Sequence, residues 1–400
     1  MVAPLDAAAL RAHYAAFLRP DRVLLTGHSH QAWPDVARAA VLEAFDDAAE
    51  LVDDKWGRAF AAAEALRAGV ASRIGCGADE IALAPNTHEL VVRFLSSLDW
   101  SRRRHLVTTA GEFHTIDRQL RRLAEEGVEV TWVDPSDPST LAERLAAAIR
   151  PDTAAALCST VLFQTASIVP GLDELARTAR ARGVEVLLDA YHGFQIVPFR
   201  VPDGAFLVGG GYKYAQLGEG NCFLRVPADC ALRPVYTGWF AGFGALADPR
   251  DPGRVPYPTR PADRFAGSTY DPTCHYRARA VLRFFEQHDL SPERLRATSL
   301  RQTARILAGL DRAGAGPARA GAGPDRAGAG FQVVTPRADA ARGGFVAVKV
   351  GNAKAVVDGL RAQHVYVDAR GDLVRLGPAP YLTDDDLDRG VEAFVRLARA

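Results

Sequence analysis

Residues 184–214 read VEVLLDAYHGFQIVPFRVPDGAFLVGGGYKY. The stretch holds two apolar runs, 184–188 and 206–208, each ending where the residue chemistry changes. The first closes on Asp189 and passes into Ala190-Tyr191-His192-Gly193; the second closes on a triple glycine and passes into Tyr212-Lys213-Tyr214. Runs this short and apolar suit strands buried on both faces, the condition of a parallel sheet covered by helices. In open sheets of that kind, ligands sit beyond the carboxyl ends of the strands. Read alone, Asp189 fits equally well a cap on the following turn, and a lone lysine is by default a surface lysine. The glycines before Lys213 let the backbone approach closely and the side chain reach inward.

The same rhythm extends outward. Ile81 to Ala84 reads as a strand, followed by the turn Pro85-Asn86-Thr87 and an apolar-periodic helix from His88 to Leu98. Strands at 105–109, 128–133 and 154–160 alternate with helices at 115–126, 141–149 and 172–182, and the Ala-rich stretch 36–74 reads as long helices starting behind Trp33-Pro34-Asp35. This predicts an α/β fold, a mainly parallel sheet with helices on both faces. Residues 221–226 read as a strand pairing antiparallel at the sheet edge, and 247–272, rich in Pro, Asp and Arg, as a long loop. Residues 311–330 are a near-repeat of Ala, Gly and Pro with no core-forming side chains, hence an expected flexible surface loop. Strands at 345–350 and 365–368 and a helix at 384–397 make a smaller C-terminal α+β domain. The expected organisation is an N-terminal segment, 1–50, packing with the small domain, a large domain, 51–265, and the small domain, 266–400.

Composition narrows the partners. The 400 residues carry 48 basic and 48 acidic side chains, so no global field favours nucleic acid or an anionic membrane, and a small molecule is the expected ligand. No stretch approaches a transmembrane span, and the amphipathic stretch from Leu5 to Leu18 lacks the apolar run of a signal peptide. Five scattered cysteines, with no CxxC pair, fit a reducing cytoplasm. The pair His28-Ser-His30 has no third ligand at recognisable spacing, so no metal is expected.

Four features in chain order meet the needs of a pyridoxal phosphate site. Such a site requires an amine for the imine, an anion for the pyridine nitrogen, donors for the phosphate and a face for the ring. Lys213 and Asp189 supply the first two. Asn86-Thr87-His88 opens a helix whose N-terminal amides and hydroxyl form a phosphate cradle, though a plain N-cap reads the same way. Phe113, after the strand ending at Thr109, offers a ring face, though a lone aromatic is more often core.

With those residues in order, the chain resembles the class V aminotransferase group of fold-type I pyridoxal phosphate enzymes, and within it is most similar to kynureninase. The similarity spans about residue 22 to the C-terminus, with gaps. It is carried by Leu188-Asp-Ala-Tyr-His192, Gly211-Tyr-Lys-Tyr214 with Gly218 and Gly220, Gly238-Trp-Phe240, and Val374-Arg-Leu-Gly-Pro-Ala-Pro380. The resemblance implies that Lys213 holds the cofactor as an imine, Asp189 meets the pyridine nitrogen and Phe113 stacks on the ring. It further implies that Thr87, His88 and Tyr212 reach the phosphate and that His192 lies against cofactor or substrate. Arg375 would grip the substrate carboxylate, which a guanidinium does with two parallel bonds. Trp239 and Thr269 would line the cofactor and substrate pocket near the interface of a homodimer. His192, Tyr212, Trp56 and Trp239 would stand near the side-chain ketone that an activated water attacks, with His192 and Tyr212 as catalytic candidates beside Lys213 and Asp189.

The implied activity is hydrolytic cleavage of L-kynurenine or a related 2-amino-4-oxo acid to alanine and an aromatic acid. Three departures bear on the substrate. Thr26-Gly-His-Ser-His-Gln-Ala-Trp33 stands where kynureninases have an Asn-Ser-Leu-Gly type loop, Glu219 where proline is common, and Ser268-Thr269-Tyr270 where Ser-Asn is common. The alternatives are a class V aminotransferase, a lyase or a cysteine desulfurase-like enzyme, or a scaffold that binds without turnover.

Overall fold

Along Val186-Leu187-Leu188 the side chains alternate: Val186 and Leu188 join one apolar cluster and Leu187 another, on opposite faces of one sheet. Both faces are therefore covered, as the apolar runs require. The computed structural model describes residues 2–249, 252–314 and 330–399.

A short first strand, β1 (Val23–Leu24), precedes the helices Val36–Leu51 and Lys55–Ile74. The main sheet then takes β2 (Ile81–Ala84), β3 (His105–Thr109), β4 (Glu129–Val133), β5 (Thr153–Ser159), β6 (Glu185–Asp189), β7 (Phe206–Gly210) and β8 (Cys222–Arg225), in the spatial order β2-β8-β7-β6-β5-β3-β4. Pairing is parallel from β4 through β7, and β8 runs antiparallel to both β7 and β2. Helical crossovers Thr87–Ser96, His114–Glu125, Leu141–Ala147 and Leu172–Ala181 join successive strands and cover the sheet.

The architecture is the fold-type I arrangement expected, with a smaller C-terminal unit. There β9 (Phe331–Val333), β10 (Val346–Val350), β12 (Asp368–Arg370) and β13 (Leu373–Leu376) form an antiparallel sheet in the order β12-β13-β10-β9, while β11 (Val365–Tyr366) pairs parallel with β1. Helices Pro292–Arg312, Ala353–Ala362 and Asp384–Arg399 belong to this end of the chain, and Arg305 ties the first to the last through Asp384 and Asp388.

Three expectations change. The strand at 222–225 is antiparallel but internal: both its edges are paired and all four residues are buried, so β2 is the edge strand. The strand expected at 365–368 is two, split at Val367, because β11 pairs with β1 while β12 turns into a hairpin with β13. The expected loop at 311–330 begins late, since the helix Pro292–Arg312 continues through Asp311, whose carboxylate takes both ends of the Arg337 guanidinium. Residues 315–329 of that stretch lie outside the described residues.

Candidate active site

Strand register aligns the carboxyl ends of β5, β6 and β7: Ser159 lies opposite Asp189, and Asp189 opposite Val208. The chain leaves β7 through Gly209-Gly210-Gly211, and a Cβ on Gly210 would come within 2.4 Å of the Tyr191 ring. Only glycine lets β7 pass that close, and the turn then brings Lys213 back under the sheet edge. The Lys213 amine lies 2.9 Å from Nε2 and 3.3 Å from Nδ1 of His192. It also stands 4.5 Å from the centroid of the Tyr191 ring and 5.3 Å from that of Phe113.

Burial drives the electrostatics. It lowers the Lys213 amine to about 7, against the pull of Asp189. Burial likewise raises the Asp189 carboxyl, opposed by the Tyr191 N–H, which donates to Oδ1 at 2.7 Å, and by Lys213. His192 is held well below the usual imidazole range, first by burial and then by Lys213 and Arg375, so it is neutral near pH 7.

A cavity of about 300 Å³ opens over these groups. Asn86, Thr87, His88, Phe113, Asp189, His192, Tyr212 and Lys213 all line it. One wall is the N-terminus of the helix Thr87–Ser96, where the Asn86 side chain accepts from the Glu89 N–H at 2.9 Å. First-turn amides have no intrahelical acceptor, so this wall suits an anion. A buried amine with a lowered pKa, a buried carboxyl group, a flanking phenyl ring and an anion-binding helix start in one cavity fit pyridoxal phosphate.

Other expected residues stand apart from that cavity. Arg375, 1% exposed, is on β13 and gives Nε to Asp368 Oδ1 at 2.8 Å, Nη2 to Asp368 Oδ2, and Nη1 to the Phe163 carbonyl at 2.7 Å. Trp56 packs its ring with Phe60 and Phe240. Trp239 donates to Thr269 Oγ1 at 3.0 Å, and Thr269 lines a neighbouring cavity of about 570 Å³ with Arg67, Arg93, Phe240 and Tyr270. The two histidines of the Thr26–Trp33 loop diverge. Buried His28 bonds Asp368, whereas exposed His30 stacks on Tyr212 at 4.7 Å and faces Glu219.

Sequence reading missed several of these groups. Asp368 was findable: a two-residue Gly371-Asp372 connection sets it opposite Arg375 in the hairpin register. Buried Glu112, one residue before Phe113, accepts from the Ser159 N–H and hydroxyl at 2.8 and 2.6 Å, and burial raises it to about 8. Nothing in its local sequence distinguished it from a surface glutamate.

The kynureninase C-terminal domain family matches residues 322–394, the stretch that contains β12, β13 and Arg375. A kynureninase of Xanthomonas campestris pv. campestris is 27% identical over 436 residues, covering 100% of this chain and 97% of that protein. The chain is kynureninase-like in sequence, on a fold-type I scaffold. A cysteine desulfurase IscS of Anaeromyxobacter sp. is 33% identical over 150 residues, 36% of the kynureninase-like chain and 37% of the relative. Among solved structures, a mutant of the cystine C-S lyase C-DES with glycine covalently linked to its cofactor aligns with TM-score 0.80 at 16% identity, covering 97% of this chain and 99% of that one. The cysteine desulfurase CsdA of Escherichia coli aligns with TM-score 0.77 at 17% identity over 99% of each chain. These two share the fold.

Proposed function

We propose that this chain is a pyridoxal phosphate-dependent enzyme that hydrolyses the side chain of L-kynurenine or a related 2-amino-4-oxo acid, releasing alanine and an aromatic acid. The observation that carries the reading is the convergence of Lys213, Asp189, Phe113 and the Asn86–His88 helix start on one cavity, in a chain whose full length matches kynureninase. When bound, the cofactor supplies a ring that draws off the electron pair left at the substrate α-carbon.

The chain's own residues do the rest. Asp189, buried at the end of β6, would hold the pyridine nitrogen. Thr87, His88 and Tyr212, which line the same cavity, would hold the phosphate. Lys213, with its amine pressed to about 7, exchanges protons readily near neutrality and takes the α-proton. His192, neutral and 2.9 Å from that amine, accepts or returns a proton beside it. Arg375 would anchor the substrate carboxylate, and Trp56, Trp239 and Thr269 would complete the substrate wall beside a second subunit.

Exposed apolar side chains favour that second subunit. Phe45 is 71%, Val235 77% and Phe243 51% exposed, the last within the aromatic cluster of Trp239 and Phe240. A homodimer covering this cluster buries a patch that a monomer leaves to water. Five free cysteines fit a reducing cytoplasm.

The desulfurase-like reading has one residue in its favour, because Cys222 lines the same cavity. Its chemistry runs the other way. Burial pushes the Cys222 thiol up to about 12, and the Tyr191 hydroxyl contacts it at 3.7 Å, so it is a fixed thiol rather than a mobile thiolate. Incubating the holoenzyme with L-kynurenine, and separately with L-cysteine, decides between them. Anthranilate plus alanine supports the proposal, and persulfide with no anthranilate overturns it. A substrate-dependent conversion of the cofactor to its amine form without C–C cleavage marks an aminotransferase instead.

A further inference from the structure

The loop Thr26–Trp33 has no part in the chemistry so far, yet it reaches a largely buried ion pair in the small unit, Asp368 with Arg375. β1 pairs with β11, Thr26 bridges to Gly377, and Gly27 and Gly377 exchange backbone bonds with their neighbours at 2.8 Å. This stitching places His28, fully buried, against Asp368, with Nε2 2.6 Å from Oδ1. Asp368 in turn takes the side edge of the Arg375 guanidinium, Nε and Nη2 together.

The chemistry of the three groups fixes their roles. Ionised Asp368 only accepts, so His28 donates from Nε2–H and its Nδ1 carries no proton. That tautomer agrees with Nδ1 being buried with no hydrogen-bond partner among the described residues. Burial, aided by Arg375, lowers His28 to about 4, which keeps it neutral. Burial alone would raise Asp368, but His28 and Arg375 hold it well below the usual carboxylate range.

Of the five N–H groups of a guanidinium, Asp368 takes two and the Phe163 carbonyl one. Among the described residues the two left without a partner are on the terminal nitrogens. Phe345 forms a shelf under both partners, 4.8 Å from the His28 ring and 5.5 Å from the Arg375 guanidinium carbon. The group is also felt at the reactive amine, since Arg375 lowers both Lys213 and His192 while Asp368 raises both.

We propose that His28 and Asp368 are positioning residues: through Asp368 the N-terminal loop holds the Arg375 guanidinium by its side edge, so that its terminal nitrogens meet an incoming substrate carboxylate. This rests on the reading of Arg375 as the carboxylate anchor. A carboxylate held that way is oriented by geometry more than by net charge, because Asp368 already neutralises the guanidinium.

Two amines separate positioning from general structural support. L-alanine carries the carboxylate and ethylamine lacks it. Both are titrated into the holoenzyme, with binding read from the visible absorbance of the cofactor. Asp368→Asn and His28→Ala should weaken L-alanine binding, the former by about tenfold or more, and leave ethylamine unchanged. In an Arg375→Ala background neither substitution should have any further effect. If Asp368→Asn does not fold, His28→Ala carries the test alone, with thermal melting and cofactor absorbance as checks on integrity.

Equal weakening of both amines, no weakening of either, or tighter L-alanine binding, in a protein where Arg375→Ala selectively weakens L-alanine, overturns the positioning role and leaves the anchor standing. An Arg375→Ala variant that binds the two amines as the parent does overturns the anchor, and the positioning role with it.

Discussion

Glu112 accepts both the backbone N–H and the hydroxyl of Ser159, directly across the β5–β6 ladder from Asp189. Two carboxyl groups thus share one buried end of the sheet, and burial first, with Asp189 adding to it, keeps Glu112 from ionising. Glu112 ordinarily titrates at 4.5 and is raised here to about 8, so the folded protein binds the extra proton between those values. The stabilisation is fully present below 4.5 and is lost as pH rises toward 8. Glu112→Gln should therefore melt progressively higher than the parent from pH 4.5 to 8, by an amount on the order of a few kcal/mol at the upper end. Melting curves of the two proteins that stay parallel across that range would refute the assignment.

Lys213→Ala should abolish the cofactor's visible band and lower turnover by about 10²–10⁴-fold. Absorbance spectra of the purified variant after incubation with pyridoxal phosphate give the first readout. A band unchanged in position and intensity would remove Lys213 from the cofactor.

Lysine cannot reproduce the fork of Arg375, whose Nε and Nη2 engage Asp368 while Nη1 engages the Phe163 carbonyl. Arg375→Lys should raise KM by about one to two powers of ten, with cofactor binding intact. Steady-state kinetics beside cofactor absorbance check this, and a fall in kcat at constant KM counts against an anchoring role.

Phe243→Glu places a charge in the exposed aromatic cluster around Trp239 and Phe240. If that cluster seats a second subunit, sedimentation should read a dimer for the parent and a monomer for the variant, with activity falling as the dimer dissociates. A parent that sediments as a monomer at micromolar concentration denies the interface.

Removing a core side chain tests the fold separately from the site. Leu187, fully buried on the central strand β6, should cost about 2–5 kcal/mol as Leu187→Ala. Urea denaturation of the apoprotein measures it, and a cost under about 1 kcal/mol would mean the second apolar face is loosely packed.

The α/β core was legible because strand and helix periods are local. Val186-Leu187-Leu188 and Phe206-Leu207-Val208 announce buried strands without reference to anything distant. Likewise Asn86, Phe113, Asp189 and Lys213 were found because each follows a strand or starts a helix. The position of β8 between β2 and β7 was not legible, since a four-residue apolar strand reads the same at an edge or in the interior. The burial of His28 and of Glu112 was not legible for a related reason. Their burial is set by partners 340 and 47 residues away, and sequence spacing carries no trace of such contacts.

The pairing of β1 with β11, and of His28 with Asp368, has a consequence for synthesis. The lysine half of the site, residues 86–213, can gather while the chain is still being made, because its strands close short loops. The arginine half needs His28 to meet a residue 340 positions further along the chain. The cofactor cavity therefore assembles from shorter-range contacts than the substrate anchor does.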